Sequence, residues 1–513
     1  DPLVPGNSFY LLWMILSFLI VSSVLVLSVG RLGDLFGRVR MYNLGFVIYT
    51  VSSLVLTVDW LTGPSGALYL IIGRIAQGIG SAFLMGNSGA IITDAFPPSQ
   101  RGLALGINNV AGISGSFFGL VLGGVLAVID WRLIFLVSVP FGAFGTVWAY
   151  LKLQERGVAP QHTSIDWPGN ITFAVGLILV MIGITHGIQP YGSNPMGWTS
   201  PAVLAELGAG VAFLLAFVFI ELRAAHPMFR LSLLRIRAFT FGVLAAFLSA
   251  MARGGLMFMM IIWLQGIWLP LHGYSFESTP FWAGIYMLPL SAGFLLAGPV
   301  SGYLSDRIGP RPFATGGMLM AAASFGLMLL LPIDFPYLLF ALILLLNGLA
   351  QGVFASPNRA GIMNALPATE RGVGNGMAVT MQNSAQVLSI GIFFTLMIVG
   401  LSGVLSHSLV SGLQAHGVPA DQAHRVGSLP PVSVLFAAFL GYNPAQQLLG
   451  PSVLQHLSAA NAAAVTGHEF FPRLLSIPFQ SGLHEAFAFA IAACLVAAAA
   501  SWSRGRRYVD SAE

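Results

Sequence analysis

The sequence predicts an all-α membrane protein made of two related helical bundles, and three observations support this fold class. Charged residues are only 8% of the 513 residues and hydrophobic residues are 56%, with a mean hydropathy of +0.83. Soluble domains carry about 25% charged residues, so this chain cannot bury its apolar side chains in a water-soluble core. The apolar residues form long runs, and landmarks of the first half recur in the same order in the second. Such a pattern is typical of a duplicated bundle of membrane helices.

Thirteen apolar runs are long enough to cross a bilayer, which requires roughly 20 residues per helix. The predicted spans are 10–29, 43–58, 67–90, 103–128, 132–151, 169–189, 202–221, 239–268, 281–301, 313–332, 336–356, 374–402 and 480–503. The sixth and seventh spans lie between the repeats and are interpreted as two inserted linker helices. We therefore predict an N-terminal bundle at 1–151, a linker region with a basic cytoplasmic loop at 152–237, and a C-terminal bundle at 238–513.

The internal repeat is recognised by a charged turn between apolar runs. The turn GRLGDLFGRVR at 30–40 matches GYLSDRIGPRP at 302–312, a separation of 302 − 30 = 272 residues. Gln77 lies in AQG, as does Gln351, at a separation of 351 − 77 = 274, and SQRG in the first half matches TERG in the second. Three landmarks at nearly one separation indicate that the second bundle repeats the first.

The distribution of basic residues predicts the orientation in the membrane. Most of the 22 lysines and arginines fall on one side if the turn at 30–40 is cytoplasmic, as the positive-inside rule requires. The net charge of +4 therefore reports topology rather than nucleic-acid binding. This orientation places Asp1 outside and the C-terminus in the cytoplasm. We expect one further span before the first visible run, fourteen in all, and a bacterial inner-membrane (plasma-membrane) location.

The longest polar interval, at about 403–479, is predicted to be an extracellular loop. It mixes Pro, Gly, Ala and His with short apolar pieces such as Val434–Leu440. Loops of this length are usually functional or disordered. We expect amphipathic segments that lie on the outer surface of the membrane.

The charged turn at 30–40 resembles the loop motif of the major facilitator superfamily, which follows the second span of these transporters. Its glycines permit a tight turn and close helix approach, and Asp34 can cap the next helix or pair with an arginine across the interface between the halves. The resemblance implies a gating role for Gly30, Gly33, Asp34, Gly37, Arg38, Gly302, Asp306 and Arg307. A charged turn that merely stops the helices from sliding remains the alternative.

The segment GRIAQGIG around Arg74 resembles the fourth-span motif of the superfamily, whose arginine assists proton coupling. An arginine within a span costs about 2.5–3.5 kcal/mol, so it normally faces the bundle interior and has a partner. The resemblance implies that Arg74 and Gln77 assist coupling. None of the 18 acidic residues falls at a predicted bilayer centre, and the usual carboxylate of the family belongs to the span that we expect upstream. The visible alternatives as proton carriers are His186, His484 and Glu485.

Glycines of the fourth predicted span are similar to the antiporter motif of the superfamily, although Leu120 stands where the family has proline. The motif residues are Gly115, Gly119, Gly123 and Gly124. Small-residue packing of helices would give a similar spacing. Together with the two inserted spans and the run DWR at 130–132, these glycines make the chain similar to the fourteen-span drug/proton antiporter branch.

A cavity for a drug-sized compound is mostly apolar and contains a few polar groups. Polar residues at mid-span depth that could line it are Asn108, Asn109, Arg253, Gln265, Asn347, Gln382, Asn383 and Gln386. Arg253 could bind an anionic or amphipathic substrate, balance a carboxylate of the expected further span, or bind backbone carbonyls. The amides could equally hold neighbouring helices together.

The resemblance implies a monomeric, proton-coupled exporter of amphipathic or lipophilic compounds (multidrug efflux) that works by alternating access, with no cofactor or metal. A dedicated lipid or siderophore exporter of the same fold remains an alternative. A membrane-embedded transferase would require a catalytic cluster, but the sequence contains no HExxH, CxxC, GxSxG or phosphate-loop motif. We therefore do not expect an enzyme.

Overall fold

The computed structural model describes residues 7–96, 108, 111–112, 115, 118–119, 122–155, 166–192, 194, 196–224, 227, 229–367, 370–441 and 443–505. The N-terminal helices are α1 (Asn7–Phe36), α2 (Arg38–Thr57), α3 (Gly63–Ala95), α4 (122–129), α5 (Leu133–Leu136) and α6 (Ser138–Lys152). The linker helices are α7 (Trp167–Gly187) and α8 (Pro201–Glu221). The C-terminal helices are α9 (Arg237–Trp263), α10 (Leu269–Leu271), α11 (Thr279–Tyr286), α12 (Leu288–Ile308), α13 (Pro310–Leu329), α14 (Tyr337–Asn364), α15 (Arg371–Ala415), α16 (Ala420–Gly427), α17 (Pro431–Phe439), α18 (Pro444–His456), α19 (Ala459–Thr466) and α20 (Phe470–Ser503).

Twelve helical segments in this part of the chain are long and apolar enough to cross a membrane. They coincide with twelve of the thirteen predicted spans. The remaining prediction, 103–128, lies mostly outside the described residues, and α4 is its outermost described helix. The prediction of an all-α membrane protein is confirmed.

The two halves repeat one packing scheme. In the first half α3 packs against α1 and α2, and in the second α14 packs against α12 and α13. The turns that join α1 to α2 and α12 to α13 also match, because Gly37 has φ 101° and Gly309 has φ 99°, at a separation of 309 − 37 = 272 residues. Only glycine adopts such positive φ angles without strain. The end of the bundle that carries these two glycines is called the inner end below, and the opposite end the outer end.

The linker helix α7 contacts both halves. It packs against its neighbour α8, against α1 of the first half and against α15 of the second. The contact with α15 is close, because a Cβ atom at Gly391 would lie 2.9 Å from the side chain of Ile184. The inserted pair therefore lies beside the junction of the two bundles.

The interval predicted to be a long extracellular loop is largely helical, and the expectation of surface segments is wrong for its central part. Helix α15 continues to Ala415, past the predicted span end, and four short helices follow. Residues Val432, Val434 and Phe436 of α17 are at most 1% exposed. Helix α17 packs against α15, α1 and the π-helical turn Leu264–Trp268 that follows α9. Its sequence PVSVLFAAF is apolar except for Ser433, so burial in the bundle is more favourable than a place on the surface.

Candidate transport site

The predicted gating residues Asp34 and Arg38 form an ion pair at the inner end. Arg38 donates hydrogen bonds from Nε and Nη2 to Oδ1 of Asp34, at 2.9 and 2.7 Å. Its Nη1 donates to Oδ2 of Asp94 at the end of α3, at 2.7 Å. Arg38 thus ties three helices of the first half together rather than reaching across to the second. Sequence reasoning missed Asp94, although an acidic residue at the end of an apolar run was a usable signal.

Glu155, just beyond α6, was also missed, and it caps the start of α2. Its carboxylate accepts hydrogen bonds from the backbone N–H groups of Arg38 (2.9 Å) and Val39 (3.0 Å). A carboxylate at this position is stabilised by the positive end of the helix dipole. Gly37 leaves room for it, since a Cβ there would lie 2.8 Å from Oε2 of Glu155.

The equivalent turn of the second half has different contacts. The Arg307 guanidinium lies over the Tyr303 ring at 4.6 Å and donates to its hydroxyl. The side chain of Asp306 lies outside the described part of the structure. Gly30 and Gly302 both lie at close helix contacts, because a Cβ at either would be 3.5 Å from an atom of the neighbouring helix.

The glycines of the turns have unequal surroundings. Gly33 leaves no space for a side chain, because a Cβ would overlap the amide of Asn87 on α3. The close helix approach expected from the glycine pattern is therefore tightest at Gly33 in the first half.

Arg74 lies deep in α3 and binds only neutral groups among the described residues. Its Nε donates to the Met14 carbonyl (3.2 Å), Nη1 donates to Oε1 of Gln77 (2.9 Å), and the guanidinium lies 4.5 Å from the centre of the Phe18 ring. The Gln77 amide in turn donates to the Ser53 hydroxyl at 2.8 Å. A chain of polar groups thus connects α1, α3 and α2 within the bundle.

The two predicted proton carriers in α20 lie on its exposed face. His484 and Glu485 are both exposed, on the same face as the exposed side chains of Ile477 and Leu495. This face points away from the helices that pack against α20, so neither side chain lies near the polar chain of Arg74.

His186, the third candidate, lies at the outer end and connects the linker helices. Its Nδ1 is 2.9 Å from Oε1 of Glu206 on α8, and its ring stacks on Phe9 of α1 with the centres 5.2 Å apart. Trp13 of α1 also donates to the Thr185 hydroxyl at 3.3 Å. The contacts of His186 with Phe9 and of Thr185 with Trp13 therefore hold α7 against α1.

The last of the antiporter-motif glycines lies where the two halves meet. A Cβ at Gly124 would lie 2.8 Å from the Phe281 Cα and the Pro280 carbonyl oxygen, so α4 contacts the start of α11 closely. At Gly115, Gly119 and Gly123 a Cβ would have no neighbour within 4 Å among the described residues. Asn108, earlier in the same predicted span, is exposed, and Asn109 lies outside the described residues.

Six of the predicted cavity residues lie on the second half, and five of them are amides. Asn347 is fully buried and donates to the Ser324 hydroxyl at 2.7 Å, so it connects α13 and α14. The others are partly accessible side chains: Gln265 in the π-helical turn and Gln382, Asn383 and Gln386 on α15.

Arg253 lies at the middle of α9 and its extension, the candidate span Arg237–Leu271. No described residue forms an ion pair or a hydrogen bond with its guanidinium. The adjacent Gly254 is in close contact with α15, since a Cβ there would lie 2.8 Å from the Gln386 carbonyl oxygen. Arg253 and the polar face of α15 are therefore neighbours.

One cavity of about 820 Å³ lies at the inner end between α2 and α6. Its lining includes Arg40, Leu44, Val147 and Tyr150, and the last three are more than a third exposed on the outside of the bundle. It is therefore separate from the mid-span arginines and is not assigned to the substrate.

Two repeated helical bundles, each with a glycine turn at its inner end and polar groups at mid-span depth, define a membrane transporter. Residues 6–390 match the family model of the Major Facilitator Superfamily. The chain belongs to this superfamily and is a multi-pass membrane transporter.

Relatives of the chain are named for different substrates. The chain is 27% identical to the riboflavin transporter RibZ of Clostridioides difficile (strain 630) over 385 residues, 74% of this chain and 78% of the relative. It is 28% identical to the multidrug resistance protein Stp of Mycobacterium tuberculosis (strain CDC 1551 / Oshkosh) over 404 residues, 77% of this chain and 70% of the relative. A crystal structure of the peptide transporter POT in complex with sulfate superposes with a TM-score of 0.52 at 17% identity, over 83% of this chain and 85% of that one. At this identity the likeness shows the fold alone.

Proposed function

We propose that the chain is a proton-coupled exporter of amphipathic compounds that works by alternating access, with its inner end in the cytoplasm. The observation that carries the proposal is the polar chain of Arg74, Gln77 and Ser53 in the middle of the first half. A charge at this depth costs about 2.5–3.5 kcal/mol, and ionisable residues within spans usually have a functional role. The similarity to Stp, which is named a multidrug resistance protein, supports export.

Arg74 provides a physical basis for proton coupling. A cation lowers the pKa of any carboxyl group that approaches it and raises it again when the two separate. Because its present partners are a carbonyl, an amide and an aromatic ring, Arg74 can exchange them for a carboxylate without breaking an ion pair. Movement of a carboxyl group toward or away from Arg74 during alternating access would therefore release or take up a proton.

In this mechanism the inner-end network acts in gating by keeping the first half rigid. Arg38 holds α1 and α3 together through Asp34 and Asp94, while Glu155 holds the start of α2 against the end of α6. The first half can then move as a rigid unit against the second, which alternating access requires.

The outer end supplies the opposing seal. Helix α17 of the second half contacts α1 of the first, and Gly124 brings α4 against α11. Outward release would require these contacts between the halves to separate.

The test is efflux of a lipophilic fluorescent dye from cells that produce the full-length protein, with and without a protonophore. We expect efflux that stops when the proton gradient is collapsed. The double variant Asp34→Asn with Asp306→Asn should reach the membrane at the same level but export more slowly. Wild-type flux from that variant would contradict the gating role of these residues. Dye efflux that persists in the presence of the protonophore would contradict proton coupling.

A further inference from the structure

The accessible face of α9 combines one charge with an apolar surface. Arg253, Met257, Ile261 and Gln265 are all partly accessible and follow one another at four-residue spacing, so they lie on one side of the helix. The intervening residues are mostly buried, and α9 belongs to the most buried of the twelve candidate spans. An accessible stripe on such a helix indicates an internal opening rather than contact with lipid.

The neighbours of α9 show which way this stripe faces. On one side of it Ser249 donates to Gln351 of α14 at 3.1 Å, and on the other Gly254 touches the Gln386 carbonyl of α15. The stripe therefore lies between α14 and α15, and α15 is the helix that contacts α1 of the other half. This is the side on which the two bundles meet.

The flanking helices offer Arg253 no counter-charge. The sequences of α9, α14 and α15 contain no aspartate or glutamate, and the one acidic residue of α20 is on its exposed face. An arginine at mid-span normally has a partner because its desolvation is costly. None of these helices supplies that partner, and an anionic substrate would.

Aromatic side chains lie on the outer side of Arg253. Phe258 is five residues further along α9, about 7.5 Å along the helix axis. Its ring centre is 5.0 Å from that of Phe394 on α15 and 6.1 Å from that of Phe439 on the buried helix α17. Phe394 is fully buried, so this aromatic cluster closes the outer end of the opening, and the accessible apolar side chains beside Arg253 are Met257 and Ile261.

From this arrangement we infer that the substrates are amphipathic organic anions, with an oxyanion bound by Arg253 and an apolar body against Met257 and Ile261 of the stripe. The partly accessible amides of Gln382 and Gln386 would provide further hydrogen bonds to the oxyanion. This inference rests on the proposed exporter function and gives its substrate a charge. The guanidinium is suited to it, since it binds carboxylate and phosphate oxygens in pairs.

The inference is tested with three fluorescent probes that share one apolar body: pyrenebutyrate, the neutral pyrenebutanol and the cationic pyrenebutyl-trimethylammonium. Their dissociation constants are measured on the purified full-length protein in nanodiscs. We expect pyrenebutyrate to bind about 10- to 100-fold more tightly than pyrenebutanol, the effect of a hydrogen bond to a charged group. The cation should bind most weakly.

Variants then assign the preference to one residue. Arg253→Gln should abolish the advantage of pyrenebutyrate and leave pyrenebutanol binding unchanged, while Arg253→Lys should keep part of it. Arg235→Gln, at an exposed position before α9, is the matched control and should behave as wild type. If Arg253→Gln does not fold, the ranking of the three probes on the wild-type protein still tests whether an anion is preferred.

Equal binding of the acid and the alcohol, or an unchanged preference in Arg253→Gln, overturns the inference. Transport assays separate this failure from failure of the proposed function. Gradient-driven export of pyrenebutyl-trimethylammonium with no preference for the acid would retain the exporter and reject the anion site. Arg253-dependent binding of pyrenebutyrate with no transport of any probe would retain the anion site and reject the exporter.

Discussion

The two halves share a turn geometry but differ at one pair of equivalent mid-span positions. Arg74 of α3 corresponds to Gly348 of α14, at the separation of 348 − 74 = 274 residues that also relates Gln77 to Gln351. In the first half the arginine reaches α1 through the Met14 carbonyl. In the second half the glycine lets α14 approach α12 so closely that a Cβ would lie 2.9 Å from the carbonyl carbon of Leu290.

This difference indicates that the two halves use equivalent helix contacts for different purposes. In the first half the contact between α3 and α1 holds the charge of Arg74. In the second half the equivalent contact between α14 and α12 is closely packed, and the deep charge, Arg253, lies on α9. Helix pairs in membranes pack tightly through small residues, so the second half is expected to be the more rigid at this contact. The predictions below are ordered by expected effect.

The largest effect is expected from filling the close contact of the second half. Gly348→Ala places a methyl group against the Leu290 backbone, which cannot move without shifting α12. We expect a loss of about 1–3 kcal/mol or more in stability, measured as a lower thermal unfolding midpoint in detergent. Gly326→Ala in α13, where a Cβ would meet nothing within 4 Å, is the control. Equal unfolding of the two variants would contradict the close packing.

The next effect concerns the charge of the first half. Arg74→Ala removes the cation that the proposed coupling requires, and proton-driven export should fall by about 5- to 150-fold, the range of a typical coupling free energy. Arg74→Lys keeps the charge but loses the paired contacts with Met14 and Gln77, so its rate should be intermediate. The measurement is dye efflux as a function of the imposed pH gradient. An unchanged dependence on pH in Arg74→Ala would exclude Arg74 from coupling.

A smaller effect is expected at the inner-end turns. Arg38→Gln breaks the contacts with Asp34 and Asp94, and because partly exposed ion pairs contribute about 0.2–1 kcal/mol each, transport should slow roughly 2- to 10-fold. In the turn of the second half, Arg307→Gln removes the contact of the guanidinium with Tyr303 and should slow transport less. The comparison uses initial rates at equal protein levels in the membrane. A larger loss from Arg307→Gln would reverse the roles of the two turns.

The smallest effect is expected from the cap of α2. Glu155→Ala removes the acceptor for two backbone N–H groups and should cost about 1 kcal/mol of stability. Glu155→Gln retains one acceptor oxygen and should cost less. Thermal unfolding of the two variants side by side measures this difference. Identical midpoints for wild type and Glu155→Ala would show that the cap does not contribute.

Much of the fold could be predicted from the sequence, because bilayer spans depend on local composition and the repeat on a constant separation. Twelve spans and the turn glycine Gly37 follow from these two signals. The burial of α17 could not be predicted in this way, since PVSVLFAAF is too short for a span and only the surrounding helices show that it is covered.

The site was predictable to a smaller extent. Arg74 and Arg253 stand out as charges within apolar runs, so their depth follows from the sequence. The contacts of Arg38 do not, because Asp94 and Glu155 approach this turn only once helices distant in sequence have packed together. The role of Asn347 could not be predicted either. The sequence does not distinguish an amide that lines a cavity from one that, like Asn347, binds Ser324 of the neighbouring helix.

The most direct test of the central claim is to follow dye and protons together in proteoliposomes that contain the purified full-length protein. A lipophilic dye is supplied on one side, and a trapped pH indicator reports protons in the lumen. Our account predicts that dye movement in one direction is accompanied by proton movement in the other, and that Arg74→Ala uncouples the two. Dye movement by the wild-type protein with no change in lumenal pH would contradict it.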